Sequence, residues 1–413
     1  MKERSILHSD LNCFYASVET VLHPEYYGKA IAVCGSTEDR HGIVLAKSEK
    51  AKRAGVKTGM VNRDAKILCP ELIIVEPSYE RYVEFSGLVR EIYADYTDLI
   101  EPFGMDECWL DVTGSVRLCG GGEQIANEIR ERVKRELGLT VSIGVSFCKS
   151  FAKLGSDMKK PDAVTVISRE NFREKVWPLP ASDLLFIGRS TYKKLLSCGV
   201  VTVGDLAKLN EATVKSMFGV RGVYLLEYAL GEDHAPVMHK EFEFPVKSVG
   251  HGITCTADLV SNEEVSNVIL ELTQDIGHRL RVHGLAAGGV MLAVKDNKLS
   301  VRSAQKKLQR PTMSPLVIAK EAYSLFPSLC RWESPVRALT VTAIDTRPAD
   351  AETQLDLFTD FSKLSRQQKL DDTVDLINNR FGSKTVRPLS VVNLRKLPGN
   401  TTHETTLPGN LIY

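Results

Sequence analysis

Twice along this chain the hydrophobic pattern runs strand, helix, strand, strand, helix, strand, and that order leaves few folds open. In the first pass SILHSD is a short strand ending on a carboxylate, and LNCFYASVETVL continues as a helix with Phe14, Val18, Val21 and Leu22 at helical spacing. SYERYVEFSGLVREIYADYT is a long amphipathic helix, and LIEPFGMDECWLDVTG is two strands around a tight turn at Gly104. A helix striped by Ile125, Ile129, Val133 and Leu137 follows, then the alternating strand TVSIGVS, a helix through FAKLGSD and the strand AVTVI. The expected product is a split βαβ unit, an antiparallel sheet with helices on one face. From Pro245 the order recurs: PVKSVGHGITCTADL, a helix through Val265, Val268, Ile269, Leu272, Ile276 and Leu280, the strands GGVMLAVKD and KLSVRSAQKKL, a helix at PLVIAKEAYSLF and the strand VRALTVTAI. The two passes share no sequence similarity, so one stable topology is used twice.

The remaining segments are smaller. KSEKAKRAG and DAKILCP form two short helices after the loop CGSTEDRHG, and near Trp177 the pattern changes to short helices punctuated by glycine. Residues 234–244 read as a linker, and beyond Arg347 the chain is polar, with QLDLF embedded and a helix expected at DDTVDLINNRFG. After that helix comes a tail in which LPGN occurs twice, expected to be poorly ordered. A length of 413 residues requires several domains, and 43% hydrophobic with 25% charged residues is the composition of a soluble protein. No apolar run spans a membrane and MKERSILHSD has no signal-peptide core, so the expected location is cytoplasmic and no membrane partner is expected. Nine scattered cysteines, with no close C-x-x-C pair, indicate neither disulfides nor zinc. The net charge of +1 is unevenly spread: from Arg279 to Arg310 eight Lys and Arg residues face Asp296 alone, a basic surface candidate.

The chemistry starts from acids. Phosphoryl transfer from a nucleoside triphosphate uses two divalent ions bridged by carboxylates, one activating the attacking hydroxyl and one neutralising the leaving pyrophosphate. Asp10 and the pair Asp106 and Glu107 meet that need, because the first strand of such a sheet can lie beside the hairpin strand. Taken singly, Asp10 could instead cap the helix after it, and Asp106 and Glu107 could be solvated hairpin residues.

The stretches HSDLNCFYASVE, FGMDECWLDVTG and FAKLGSDMKKP, in this order and spacing, resemble the three signature segments of the Y-family DNA polymerases. The resemblance runs from Ser5 to about residue 345 and implies an α+β multidomain right-hand polymerase. Its parts would be a split βαβ palm (1–10 and 77–168), small fingers (11–76), a helical helix-hairpin-helix thumb (169–233), the linker (234–244), a βαββαβ little-finger domain (245–347) and a C-terminal tail (348–413). It implies a template-directed DNA polymerase for translesion synthesis, taking primer-template DNA and deoxynucleoside triphosphates with two Mg2+ ions. Asp106 and Glu107 would be catalytic, with Asp10 and the carbonyl of Leu11 completing the metal ligands.

The amides of Phe14 and Tyr15 open a helix and suit a triphosphate, and by family position Tyr15 is the steric gate against ribonucleotides. Core packing beside Phe14 is the alternative for Tyr15. Lys160 matches the triphosphate lysine, or is a solvated helix end, and Lys52 stands on the fingers helix where polymerase IV-like members carry arginine. Glu49, Asn12 and Gly104 are further departures, and these features look closer to the UmuC-type branch. FIGRSTYKKLLSCGVVTVGDLA resembles the thumb hairpin, offering Gly188 and Arg189 to DNA although Phe186 replaces the first hairpin glycine; an ordinary helical turn is the alternative. In KLSVRSAQKKLQR, Arg302, Lys306, Lys307 and Arg310 are the DNA-contact candidates, with alternation placing Val301, Ser303, Gln305 and Lys307 on one face. QLDLF resembles a sliding-clamp peptide, docking through Gln354, Leu355, Leu357 and Phe358, or else packs on the little finger. Rival readings are a palm-type nucleotidyl transferase such as a cyclase, a catalytically silent DNA-binding protein, and a polymerase that needs an accessory protein.

Overall fold

The computed structural model describes residues 4–38, 40, 42–351, 361–382, 385–392 and 396–398. They fall into two compact units, one of residues up to Gly35 with Ile43–Glu243, the other of Ser36–Gly42 with the described residues from Phe244 onward.

In the first unit β1 (Ile6–Leu11) feeds the helix Phe14–Leu22. Phe14 and Val18 are buried, but Val21 and Leu22 at the helix end are exposed, so the apolar stripe is shorter than the spacing predicts. A small sheet follows: β2 (Ile31–Cys34) pairs antiparallel with β3 (Val44–Lys47) and parallel with β4 (Ile73–Val75), alongside the helices Glu49–Arg53 and Asn62–Leu68. β5 (Ile100–Pro102) and β6 (Glu107–Asp111) form a hairpin, and β7 (Val141–Ser146) and β8 (Val164–Ile167) complete a five-stranded sheet of order β5-β6-β1-β7-β8.

Two expectations about this sheet are corrected. It is not wholly antiparallel: the helix Lys149–Met158 carries the chain back between β7 and β8, which therefore run parallel. Nor are the helices confined to one face. The helix Gly122–Leu137 seals one face with Ile125, Ile129 and Val133 fully buried, each side chain contributing about 1.5–3 kcal/mol. Helix Lys149–Met158 covers the other, and all six residues of β1 and of β7 are buried instead of alternating. Glycine permits that second layer, because a Cβ on Gly144 would sit 1.9 Å from the Ala152 carbonyl oxygen and Gly155 faces the same spot.

Helices Arg189–Ser197, Val203–Ala207, Glu211–Phe218 and Val220–Leu230 build a separate core around Leu195, Val203, Val214 and Ala229. The segment read as a linker is stitched to the first unit over its first half: Arg4 donates to the Ala235 carbonyl at 2.9 Å, the Met238 amide to Glu101 at 3.0 Å and the Lys240 amide to the Asp98 carbonyl at 2.9 Å.

In the second unit β9 (Ser248–Leu259), β10 (Leu285–Asp296), β11 (Val301–Thr312) and β12 (Val336–Pro348) form an antiparallel sheet of order β11-β10-β12-β9. Helices Asn262–Val282 and Pro315–Tyr323 join it in one core, as the pattern predicts. A helix spans Phe361–Phe381, starting ten residues earlier than DDTVDLINNRFG suggests, and Asp375 receives two hydrogen bonds from Arg281, at 2.6 and 2.9 Å. Lys396 adds a bond to the Asp258 carbonyl, and Val391 is buried. Polar anchoring, invisible to a hydrophobic pattern, orders this part. Among the described residues no helix is long and apolar enough to cross a membrane.

Candidate active site

β1 is the middle strand, and its register with β6 sets Asp10 directly opposite Glu107. The Leu11 amide donates to the Asp106 carbonyl at 2.9 Å, fixing the bend that carries Asp106 against the end of β1, and Leu11 itself is buried opposite Val141. Gly104 in this hairpin has φ +92°, a backbone conformation that favours glycine. Adjacent strands thus gather Asp10, Asp106 and Glu107, and the solvated-hairpin reading does not fit acids this shielded.

Burial and the neighbouring Glu107 and Asp10 push the Asp106 carboxyl up to about 6, and burial with Glu107 also raises Asp10. Burial would raise Glu107 too, but His8 and Lys153 outweigh it and hold Glu107 below the usual carboxylate value. His8 is fully buried, which holds its imidazole low and neutral at pH 7, so Lys153 is the firmer of the two partners. Lys153 Nζ lies 2.9 Å from Glu107 Oε2 and 3.4 Å from Asp10 Oδ2, while Lys160 Nζ lies 2.8 Å from Asp10 Oδ2. His8 Nε2 is 3.3 Å from Glu107 Oε2, and neither atom has an aligned hydrogen bond. Among the described residues no three His, Cys, Asp or Glu side chains already close around one point, since lysines stand between the acids. The donors nonetheless suit a hard divalent ion: they are oxygens, clustered, and Glu107 Oε2 retains acceptor capacity.

Helix Phe14–Leu22 begins after Cys13, whose φ is +50° and whose side chain provides no cap, so the amides at Phe14 and Tyr15 lie at an uncapped helix start. Phe14 is core, and Tyr15 is half-buried on an aromatic cluster, stacked on Tyr82 at 4.1 Å and edge-on to Tyr79 at 6.1 Å. Burial, with the charge of Asp106, pushes the Tyr15 hydroxyl up to about 12. Cys13 Sγ donates to Glu49 at 3.2 Å, and Glu49 in turn pairs with Lys52 at 3.4 Å; this brings the helix Glu49–Arg53 next to the start of helix Phe14–Leu22. Asn12 is held from both ends: its side-chain amide donates to Ser142 Oγ at 3.0 Å and its side-chain carbonyl oxygen accepts from the Asp162 amide at 2.8 Å.

Gly188 caps helix Arg189–Ser197 and both Gly188 and Arg189 are exposed. Phe186 keeps the left-handed backbone of the glycine it replaces, with φ +67°. β11 is an edge strand whose faces separate the basic candidates. Lys307 stands on the exposed side with Val301, Ser303 and Gln305; Lys306 shares the side of core residues Ala304 and Leu308, where Glu321 binds it at 2.6 Å. Arg302 falls on the Lys306 side by alternation, while Arg310 lies where the pairing with β10 is irregular, between Lys307 and Thr312. Gln354, Leu355, Leu357 and Phe358 lie outside the described residues. Sequence reasoning missed Lys153, His8, Tyr79 and Tyr82. Lys153, Asp157 and Lys160 are spaced four and three residues apart, a helical signal present in FAKLGSDMKKP.

Residues 9–157 match the impB/mucB/samB family and residues 246–357 its C-terminal domain. The chain is 48% identical over 385 residues to a DNA polymerase IV of Acetivibrio thermocellus, covering 93% of this chain and 96% of that protein. It is 35% identical to DNA polymerase IV 1 of Bacillus subtilis, over 94% and 92% of the two chains. These names give no support to the lean towards the UmuC-type branch. A Y-family DNA polymerase chimera superposes with a TM-score of 0.73 over 83% of this chain and 98% of its own, at 23% identity, a likeness of fold. Two family models, near-complete coverage by relatives and the shared fold agree: the chain belongs to the Y family of DNA polymerases.

Proposed function

We propose that this chain extends a DNA primer on a template by phosphoryl transfer at Asp10, Asp106 and Glu107, in translesion synthesis. As a Y-family member it is a DNA-directed DNA polymerase and its substrates are DNA and nucleotides. The observation that carries the site assignment is the register of Asp10 against Glu107, with Asp106 tied by its backbone to Leu11. Two Mg2+ ions held by these acids and the Leu11 carbonyl would lower the pKa of the attacking hydroxyl and neutralise charge on the leaving pyrophosphate. The chain's own residues do the rest. Strand pairing fixes the backbones of Asp10 and Glu107 opposite each other, and Lys153 holds both side chains. Phe14 and Tyr15 offer amides to phosphate oxygens, and Lys160 and Lys52 add positive charge. The Tyr15 ring, braced by Tyr82, excludes a 2′-hydroxyl by shape. The five-stranded sheet would be the palm, the small sheet and its helices the fingers, the helical core the thumb and the second unit the little finger, with Gly188, Arg189 and the basic residues of β11 meeting DNA phosphates. Primer extension by the purified chain alone tests the reading. Template-directed extension that depends on Mg2+ and is lost in Glu107→Gln supports it; extension only after an accessory protein is added would favour the partner-dependent alternative.

A further inference from the structure

The acids are not the only charges in this site. Lys153 Nζ touches three carboxylates, Glu107 at 2.9 Å, Asp157 at 3.2 Å and Asp10 at 3.4 Å, and Lys160 Nζ touches two, Asp10 at 2.8 Å and Asp157 at 2.9 Å. Each ammonium is therefore shared between an inner carboxylate and Asp157. Asp157 differs from the inner pair in position: its side chain is 48% exposed, against 8% for Asp10 and 20% for Glu107. Helix Lys149–Met158 is pressed onto β7 at Gly144 and Gly155, so the Lys153 backbone has no freedom to retreat. Its four-carbon stem does have freedom, and a lysine is a point charge that can exchange partners by rotation.

We propose that Lys153 is a positioning residue that holds Glu107 and Asp10 together, competes with a divalent cation for them, and turns to Asp157 when the cation binds. The inference rests on the reading that Asp10, Asp106 and Glu107 hold divalent ions. A second positive charge brought to Glu107 Oε2 would lie within a few ångströms of Lys153 Nζ, where like charges in half-buried surroundings repel strongly. Among the described residues Asp157 is the one carboxylate in contact with Lys153 that lies outside the proposed metal set. Its position four residues after Lys153 and three before Lys160 keeps it within reach of both ammoniums.

The test titrates Mn2+ into the full chain without DNA or nucleotide and counts bound ion by the electron paramagnetic resonance of free Mn2+. A charge within 4–6 Å changes a carboxylate's affinity for a proton by about ten- to a thousandfold, so Lys153→Met is expected to bind Mn2+ at least about tenfold more tightly than wild type. Asp157→Asn is expected to bind it more weakly, because both ammoniums are then left to the inner acids. In a Lys153→Met background that second effect shrinks to the part carried by Lys160, whereas a general loss of negative charge would act equally in both backgrounds. Equal or weaker Mn2+ binding by Lys153→Met, or an Asp157→Asn effect of the same size in both backgrounds, overturns the proposal. If Lys153→Met does not fold, Lys153→Gln replaces it in both arms and the same outcomes decide. Absence of Mn2+ binding by wild type, or binding undiminished by Glu107→Gln, overturns the metal reading itself and this inference with it. Normal wild-type binding with no response at Lys153 removes this inference alone.

Discussion

Replacing Asp106 with asparagine sets stability against activity, and the structure gives the size of the conflict. Burial, Glu107 and Asp10 raise the folded carboxyl from 3.8 to about 6. Between those two values the folded chain holds a proton that the unfolded chain has released, so stability falls as pH rises through this window. The full shift corresponds to about 3 kcal/mol, an upper bound because asparagine must still satisfy its own amide. Without divalent ions, Asp106→Asn is therefore expected to be more stable than wild type by about 1–3 kcal/mol at pH 7.5, with the gap closing below about pH 4. Calorimetric or urea unfolding at both pH values in a chelator measures it, and the same preparation is assayed for primer extension, which the substitution should abolish. Added Mg2+ should raise wild-type stability and leave the variant nearly unchanged, since a ligand stabilises only a state that binds it. A variant less stable than wild type at pH 7.5, or a gap that persists unchanged at low pH, would refute the argument that repulsion among buried carboxylates is stored here.

Tyr15→Ala should admit ribonucleotides far more readily, because the ring that rests on Tyr82 is removed; unchanged sugar discrimination in single-nucleotide insertion would move the gate elsewhere. Gly144→Ala should cost about 3 kcal/mol or more in urea unfolding, since its Cβ would sit 1.9 Å from the Ala152 carbonyl oxygen, and should also impair extension by shifting Lys153; a loss below about 0.5 kcal/mol would mean that the helix yields freely. Replacing Leu357 and Phe358 together with alanine should leave extension on short free primers intact while abolishing stimulation by a loaded sliding clamp, because tethering raises effective concentration without new catalysis. Retained stimulation, or lost stability in the double variant, would make QLDLF structural.

The meeting of the three acids was legible because the topology allows it: in a split βαβ sheet a strand ending in Asp10 can lie beside a hairpin that opens with Asp106 and Glu107, and here it does. The depth of their burial was not. ILHSDL carries three polar residues in a row, His8, Ser9 and Asp10, yet all six side chains are buried. The polar ones tolerate it because each finds a partner far along the chain: His8 Nδ1 meets Ser156 Oγ at 2.9 Å, Ser9 receives the Tyr93 hydroxyl at 2.8 Å, and Asp10 meets Lys160. A hydrophobic pattern counts such residues as solvent-facing, which is why the second helical layer was missed. The docked tail has the same cause, since Asp375 owes its place to Arg281, 94 residues away.

Lys153 shows what distinguishes a readable spacing from a readable site. The i, i+4, i+7 series of Lys153, Asp157 and Lys160 was present in the sequence and predicts a charged stripe on one helix face. On an isolated helix that stripe would be a solvated surface of little energetic consequence. What turns it towards Asp10 and Glu107 is Gly144, a residue on another element, whose missing side chain lets the helix lie against β7. The functional meaning of the lysine thus depends on an absence in a neighbouring strand, and a reading that weighs side chains one helix at a time has nothing on which to register it.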